Sequence, residues 1–217
     1  MLSQPPQSEA ARTPVPIGPA TVGEIPALSE LLHLRLPMFW MRRMPEPAFR
    51  EFLARALESP RAVVLLARPP GAERPAGYVF ALFDVARFWQ GLALHHPRLA
   101  LSIGYHHVRR TFELRREDER RVATGEADRR LPEFAWAPAG PRNARILGLY
   151  VRAEHRRKGI AMDLYLRLFD ELAARGCTRV EEYMGADYPE FAGKFPERCG
   201  WRQQQCRSGG YRISRSL

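Results

Sequence analysis

The sequence predicts an α/β (α+β) fold in which helices flank a mixed central sheet. Short apolar runs of strand length alternate along the chain with segments whose apolar residues recur at three- and four-residue steps. Proline and glycine separate the two kinds of segment. The chain has 217 residues, of which 45% are hydrophobic, so it can form one core with an elaboration but is too short for two full-sized domains.

The N-terminal part is predicted to be a flexible tail followed by two helices. Residues 1–20 are rich in proline and small polar residues, a composition that buries too little apolar surface to order the chain. From Glu24 onward, apolar residues recur at helical spacing until Pro37 ends the helix. A second helix begins near Pro47, since proline fits well in a first helical turn.

The rest of the chain is predicted to contain the strands of the sheet and two further helices. In order, these are a hairpin of 62–67 and 78–83, a strand at 146–151, a helix at 159–175 capped by Gly176, a strand at 179–184, a short helix near 190–198, and a final hairpin turning at 208–210. Helices therefore both precede and interrupt the strands, which is typical of a mixed α/β arrangement.

Residues 84–144 are predicted to form a helical insertion within a single domain that spans 21–217. A structureless loop of this length is uncommon, so the segment should have structure of its own. The run 113–121 is almost entirely charged and is predicted to be a solvated helix face with internal ion pairs. An apolar stripe at helical spacing comprises Leu94, Leu101, Tyr105, Val108 and Phe112.

The charge balance suggests an anionic partner. The formal net charge is +10, and all basic residues except Lys158 and Lys194 are arginine, a bias that GC-rich coding would also produce. No apolar run approaches the length needed to cross a bilayer, and residues 1–23 lack the apolar core of a signal peptide. With three cysteines in no paired spacing, the sequence favours a reducing cytoplasm as its location.

The most informative segment leads from the third strand into a helix. The strand ends at Val151, a polar turn follows, and Arg156, Arg157, Lys158 and Gly159 run directly into the helix. Backbone N–H groups at a helix N-terminus have no partner within the helix and carry its positive dipole, which favours a phosphate or pyrophosphate. The small residues in this turn allow the ligand to approach the backbone closely.

This turn resembles the coenzyme A pyrophosphate loop of the GNAT superfamily of N-acetyltransferases. The family motif has Gln or Arg, two residues, Gly, one residue, and then Gly or Ala, and Arg156, Gly159 and Ala161 match it. The order of elements is also similar, and the segment 195–201 resembles the aromatic-rich segment that follows the family's last helix. The resemblance covers roughly residues 21–83 and 145–217.

The resemblance implies a splayed pair of parallel strands, with the pantetheine arm of acetyl-CoA lying between them. The amine acceptor would attack the thioester directly in a ternary complex, with acetyl-CoA as co-substrate and no metal. A backbone N–H near Leu149 would polarise the thioester carbonyl. The cofactor-binding residues that the resemblance implies are Leu149, Tyr150, Val151, Arg156, Arg157, Lys158, Gly159, Ile160 and Ala161.

The catalytic acid and base are the least defined parts of this interpretation. Many family members have a tyrosine acid where this chain has Pro196, so Tyr188 or Tyr183 is the candidate proton donor. Histone-modifying members have a glutamate where this chain has Arg145, which leaves Glu182, or its neighbour Glu181, as the candidate base. An isolated glutamate is more often solvent-exposed than buried, and exposure is the expectation for both.

The sequence leaves several alternatives open. Adjacent histidine pairs in the insertion lack the spacing of a metal site, although one of them could serve as the base. Residues 38–40 either line the acceptor pocket or form an apolar patch at a helix end. The insertion either forms a lid over the acceptor site or, through Phe88 and Trp89, lies on an anionic membrane.

The choice of partner and activity is also open. The acceptor is predicted to be a small-molecule or peptide amine, no specific nucleic acid is expected because the basic residues lack interleaved aromatic ones, and a homodimer remains an alternative. The alternative to an enzyme is a coenzyme A sensor or pseudoenzyme, which the absence of a tyrosine at Pro196 would suit. A further alternative is an acyltransferase associated with a membrane surface.

Overall fold

The computed structural model describes residues 14–35, 44–125, 140–184, 200–206 and 211–217. Its helices are α1 (Ile25–Arg35), α2 (Glu46–Glu58), α3 (Val85–His95), α4 (Pro97–Ala123) and α5 (Ile160–Ala174). Its strands are β1 (Ile17–Pro19), β2 (Ala62–Ala67), β3 (Gly77–Phe83), β4 (Asn143–Val151), β5 (Arg179–Met184), β6 (Arg202–Gln205) and β7 (Tyr211–Ser216). The strands form one sheet in the order β1-β2-β3-β4-β5-β7-β6, in which only β4 and β5, among the described pairs, are parallel. The predicted mixed sheet with flanking helices is confirmed.

Helices cover both faces of the centre of the sheet. Tyr78 and Phe80 of β3 belong to the core beneath α1, α2 and the start of the insertion, whereas Val79 and Ala81 belong to the core beneath α5. Every residue of β2 is buried, as expected for a strand with both faces covered. The sheet centre is therefore a rigid platform on which β4 and the loop that follows it are held.

The predicted flexible tail at 1–20 is wrong for residues 17–19, which form β1 and pair with β2. Arg68, at the end of β2, holds β1 in place. Its guanidinium contacts both carboxylate oxygens of Glu24 at 2.8 Å and donates to the Pro19 carbonyl at 2.8 Å. The hydrogen bonds from Arg68 lower the pKa of Glu24 to about 2, although burial acts in the opposite direction.

Replacing Arg68 by glutamine should lower the free energy of unfolding by about 1–3 kcal/mol, because several hydrogen bonds to a charged group are lost at once. The amide of Ala20, which donates to the Val64 carbonyl at 2.8 Å, should lose protection from hydrogen exchange. Arg50→Gln is the matched control, since its pair with Glu46 is about half exposed and should contribute less than about 0.5 kcal/mol. Equal losses in the two variants, measured by urea unfolding, would contradict this interpretation.

The region 84–144 contains α3 and α4, which form a helical hairpin. Leu92, Leu99 and Ile103 pack into the core beneath α1 and α2. Phe88 is also buried and Trp89 stacks against Phe52, so the predicted membrane contact through Phe88 and Trp89 is wrong. Within the described ranges, no helix is both long enough and apolar enough to span a bilayer.

Candidate active site

The parallel ladder between β4 and β5 stops halfway along β4. Its register runs from Asn143 opposite Arg179 to Ile146 opposite Glu182. Beyond this point Tyr183 and Met184 pair only with β7, while β4 continues to Val151 beside β3. A gap therefore opens between the two central strands just after Ile146 and Glu182.

The backbone of β4 beyond the end of the ladder faces this gap. A β-bulge at Leu147 interrupts the pairing with β3, because Phe80 lies opposite Gly148 and Ala81 opposite Ile146. The Arg152 amide donates to the Ala76 carbonyl at 2.8 Å, so even-numbered residues beyond the bulge point their amides toward β3. Leu149 and Val151 accordingly direct their N–H and C=O groups toward the gap, where no described strand pairs with them.

A tight loop connects this open edge to α5. Arg157 and Gly159 both adopt left-handed conformations, with φ of 60° and 68°, and Gly159 is the N-cap of α5 without any side-chain cap. Such a conformation turns successive backbone N–H groups toward one side and forms an anion-binding concavity. Arg156 braces the loop, since its Nε donates to the Val151 carbonyl at 3.2 Å and its guanidinium lies over the Tyr150 ring.

Gly77 of β3 is required for the close approach of β3 to the end of β4. A Cβ at this position would lie 2.5 Å from the Tyr150 carbonyl oxygen and 3.2 Å from the Val151 Cα. Gly77→Ala should therefore cost about 1–3 kcal/mol of stability and displace the open edge of β4. Urea unfolding measures the loss, and Gly91→Ala is the control, because a Cβ there meets nothing within 4 Å and α3 should be unchanged or slightly stabilised.

The two adjacent glutamates of β5 lie on opposite faces of the sheet, and both are buried, so their predicted exposure is wrong. Glu182 faces α5, where the Tyr165 hydroxyl donates a hydrogen bond to its Oε2. Burial raises the pKa of Glu182 to about 7, and the hydrogen bond from Tyr165 partly offsets this rise. Glu182 is thus a carboxyl group that changes charge near neutral pH at the position where the gap opens.

Glu181 occupies the other face of the sheet among cationic groups. It lies opposite Arg145 in the β4–β5 register, and its Oε1 is 2.8 Å from the Arg179 guanidinium. Burial lowers the pKa of Arg145, and the charge of Glu181 opposes this shift. Glu181 is therefore engaged in charge pairing, whereas Glu182 accepts a hydrogen bond from the neutral hydroxyl of Tyr165.

Comparison with known proteins identifies the family that has this arrangement of gap, loop and helix. The model of the acetyltransferase (GNAT) family matches residues 26–201, which is most of the chain and includes the gap, the loop and α5. This chain belongs to the GNAT acetyltransferase family. Its activity is therefore of the acyl-CoA-dependent acyltransferase class, and the predicted family membership is confirmed.

Solved structures of N-acetyltransferases share the fold of this chain at low sequence identity. A PaiA N-acetyltransferase from Thermoplasma acidophilum, in complex with coenzyme A, has a TM-score of 0.54 at 10% identity and covers 94% of this chain and 100% of its own. Ribosomal-protein-alanine N-acetyltransferase from Brucella melitensis has a TM-score of 0.55 at 13% identity, with the same two coverages. The ribosomal-protein-S18-alanine N-acetyltransferase from Escherichia coli has a TM-score of 0.53 at 12% identity and covers 93% of each chain. No curated protein sequence matches this chain.

The structure brings the residues of the predicted cofactor site together in this GNAT chain. Leu149, Tyr150 and Val151 end β4, the basic loop follows, and Ile160 and Ala161 begin α5. Of the predicted catalytic residues, Glu182 and Tyr183 lie at the gap. Tyr188, Pro196, residues 38–40 and the predicted helix near 190–198 lie outside the described residues.

Two residues that the sequence reasoning did not select contribute to the site. Tyr165 is buried on α5 and binds Glu182, and Gly77 allows β3 to approach β4. Tyr165 lies next to Leu164 on the apolar side of α5. This position could have indicated that its hydroxyl is buried, and a buried tyrosine hydroxyl usually has a hydrogen-bond partner. Cys177 is also buried, and burial raises the pKa of its thiol, so it is not an activated nucleophile.

Proposed function

We propose that this protein transfers an acetyl or longer acyl group from acyl-CoA to a primary amine by direct attack in a ternary complex. The observation that carries the proposal is the continuity of the open β4 edge with the left-handed loop and the N-terminus of α5. The edge has the hydrogen-bonding groups that an extended amide-containing arm requires. The loop has the backbone donors and the positive charge that a pyrophosphate requires.

The residues present fit coenzyme A in their chemistry. Arg156, Arg157 and Lys158 are exposed cations beside the α5 N-terminus, suited to the phosphates. Leu149 directs its amide and carbonyl groups into the gap, suited to the pantetheine amides. Acetyl-CoA would supply the activated acyl group. The chain would orient that group, accept a proton from the amine and donate a proton to the departing thiolate.

We assign the proton acceptor role to Glu182 and the proton donor role to Tyr183. An amine attacks only when neutral, so a carboxyl group with a pKa near the operating pH is a suitable base, acting directly or through a water. Tyr183 lies one residue beyond the last β4 pair on the face opposite Glu182, where its hydroxyl is suited to protonate a departing thiolate. Tyr188 is the other candidate donor.

The test combines acetyl-CoA binding with a panel of amine acceptors. Acetyl-CoA should raise the melting temperature of the protein, and release of the coenzyme A thiol, followed with a thiol reagent, should depend on one acceptor class. Stabilisation without transfer to any small-molecule or peptide amine would indicate a coenzyme A sensor instead of an enzyme. Absence of a thermal shift would overturn the assignment of the cofactor site.

A further inference from the structure

One cation next to the open edge of β4 is largely buried. The three cations of the loop, at 156–158, are exposed, whereas the side chain of Arg152 is only 15% exposed. Its Nε donates to the Pro75 carbonyl at 3.0 Å, and a terminal nitrogen lies 3.5 Å from a carboxylate oxygen of Glu30. The guanidinium is therefore bound by other parts of the domain, and it is not among the exposed cations suited to the phosphates.

Arg152 connects the end of β4 to the segment before β3 and to α1. Its amide donates to the Ala76 carbonyl at 2.8 Å, so its backbone and its side chain bind two adjacent carbonyls. Pro75 and Ala76 are both buried. Glu30 belongs to α1, so the ion pair adds a helix that covers one face of the sheet. A guanidinium with little access to water needs such partners, and together they fix its position.

The turn that begins at Arg152 leads into the loop. The His155 amide donates to the Arg152 carbonyl at 2.9 Å, and the Arg156 amide donates to the Ala153 carbonyl at 3.2 Å. The two left-handed residues of the loop follow directly. Local hydrogen bonds give this turn its shape, whereas the anchoring of Arg152 to the sheet and to α1 gives the turn its direction.

We infer that Arg152 is a positioning residue, which together with Glu30 holds the loop in the orientation that binds the pyrophosphate of coenzyme A. Backbone donors that converge on one ligand act together only when they are held within about 0.5 Å of the productive geometry. The inference rests on the proposed function, because it concerns the same site. It adds a residue whose guanidinium binds the protein and acts on the cofactor through the loop.

Isothermal titration calorimetry with coenzyme A tests this role. Arg152→Gln should raise the Kd by about fivefold or more, because the loop would lose its attachment to Pro75 and Glu30. Arg68→Gln is the matched control, since Arg68 also binds a carbonyl and a glutamate, but beside β1. That substitution should lower stability and leave the Kd unchanged. An unchanged Kd in Arg152→Gln, or equal weakening in the two variants, would overturn the inference.

Two further variants separate positioning from a simple effect of charge. Arg152→Lys keeps the positive charge, but a single ammonium cannot reproduce both contacts of the guanidinium, so the Kd should still rise. Glu30→Ala removes a negative charge beside Arg152, which would strengthen anion binding if charge alone mattered. Positioning predicts the opposite result, a Kd raised by about twofold or more. A wild-type Kd in Arg152→Lys, or tighter binding in Glu30→Ala, would overturn the inference.

Arg74→Gln is the control for Glu30→Ala. Arg74 also pairs with Glu30, at 3.2 Å, but its side chain is 65% exposed, so its substitution should leave the Kd unchanged. Circular dichroism should show that the variants are folded at the temperature of titration. With a responsive amine, Arg152→Gln should raise the KM for acetyl-CoA and leave kcat at saturation little changed, because binding of the cofactor is weakened without loss of a reacting group.

The wild-type protein distinguishes a failure of this inference from a failure of the proposed function. If the wild type did not bind coenzyme A, the proposed cofactor site and the role of Arg152 would both be overturned. If the wild type bound coenzyme A and the substitutions at Arg152 and Glu30 left the Kd unchanged, only the positioning role would be overturned.

Discussion

Replacing Gly159 with valine is expected to raise the Kd for acetyl-CoA by about tenfold or more. Gly159 has a φ of 68°, which a β-branched residue adopts only at a cost of about 1–2 kcal/mol. Relief of this strain would rotate the first amides of α5 away from the loop, and the new side chain would stand where the phosphates approach the backbone. Isothermal titration calorimetry with coenzyme A measures the change directly.

Gly176 provides the matched control for this prediction. It terminates the same helix, α5, in the same left-handed conformation with a φ of 78°, and a Cβ there meets nothing within 4 Å. Gly176→Val should therefore cost similar stability while leaving the Kd for coenzyme A unchanged. If both variants weakened binding equally, the effect of Gly159→Val would arise from destabilisation of α5, and the loop would have no special role.

The sequence predicts best those helices and strands whose own residues carry the pattern that identifies them. The strand predicted at 179–184 is β5 with the same bounds, and the helix predicted at 159–175 is α5 with one residue fewer at each end. β1 was missed because its order depends on Arg68, which is 49 residues from the Pro19 carbonyl that it binds. Composition predicts a disordered tail there, and a distant guanidinium overrides it.

The candidate site shows the same division between local and distant signals. The loop could be found because Arg156, Gly159 and Ala161 are close in sequence and follow a strand. The burial of Glu181 and Glu182 could not be predicted from the sequence, because it depends on which element covers each face of β5. Alternation along the strand indicates that Glu182 shares a face with the buried Val180, but only the structure shows that Tyr165 lies opposite it.

Replacing Glu182 with glutamine is expected to lower kcat by about 100-fold or more, because the variant removes the proposed base. The Kd for acetyl-CoA should change little, because glutamine keeps the shape of the site. Glutamine can still accept the hydrogen bond from Tyr165, so the core beneath α5 should stay intact. Steady-state kinetics with a responsive amine measures kcat, and isothermal titration calorimetry measures the Kd for acetyl-CoA. Glu181→Gln is the comparison, since it disturbs the pairing with Arg145 and Arg179 on the other face and should show no loss of the neutral-pH titration.

The pH dependence distinguishes a base from a residue that only supports the core. In the wild type, kcat/KM should rise with pH through about 7 as Glu182 loses its proton, and this step should be absent in Glu182→Gln. Tyr165→Phe should move the step to higher pH, because the hydrogen bond from Tyr165 lowers the pKa of Glu182 and would be lost. A step that stayed at the same pH in Tyr165→Phe would assign the titration to another group.

Stability provides an independent measure of the same titration, with a defined sign. The folded-state pKa of Glu182, about 7, is above the ordinary glutamate pKa of 4.5, so its contribution to stability is fully present below pH 4.5 and is lost as the pH rises from there through 7. Glu182→Gln removes this loss, and should therefore increase stability relative to the wild type at pH 8 by up to about 3 kcal/mol, with a much smaller difference at pH 5. Urea unfolding at the two pH values measures it. A variant that is more stable at pH 8 and yet inactive would show that the buried carboxylate is needed for activity although it lowers stability at that pH, which is the pattern expected of a functional ionisable group.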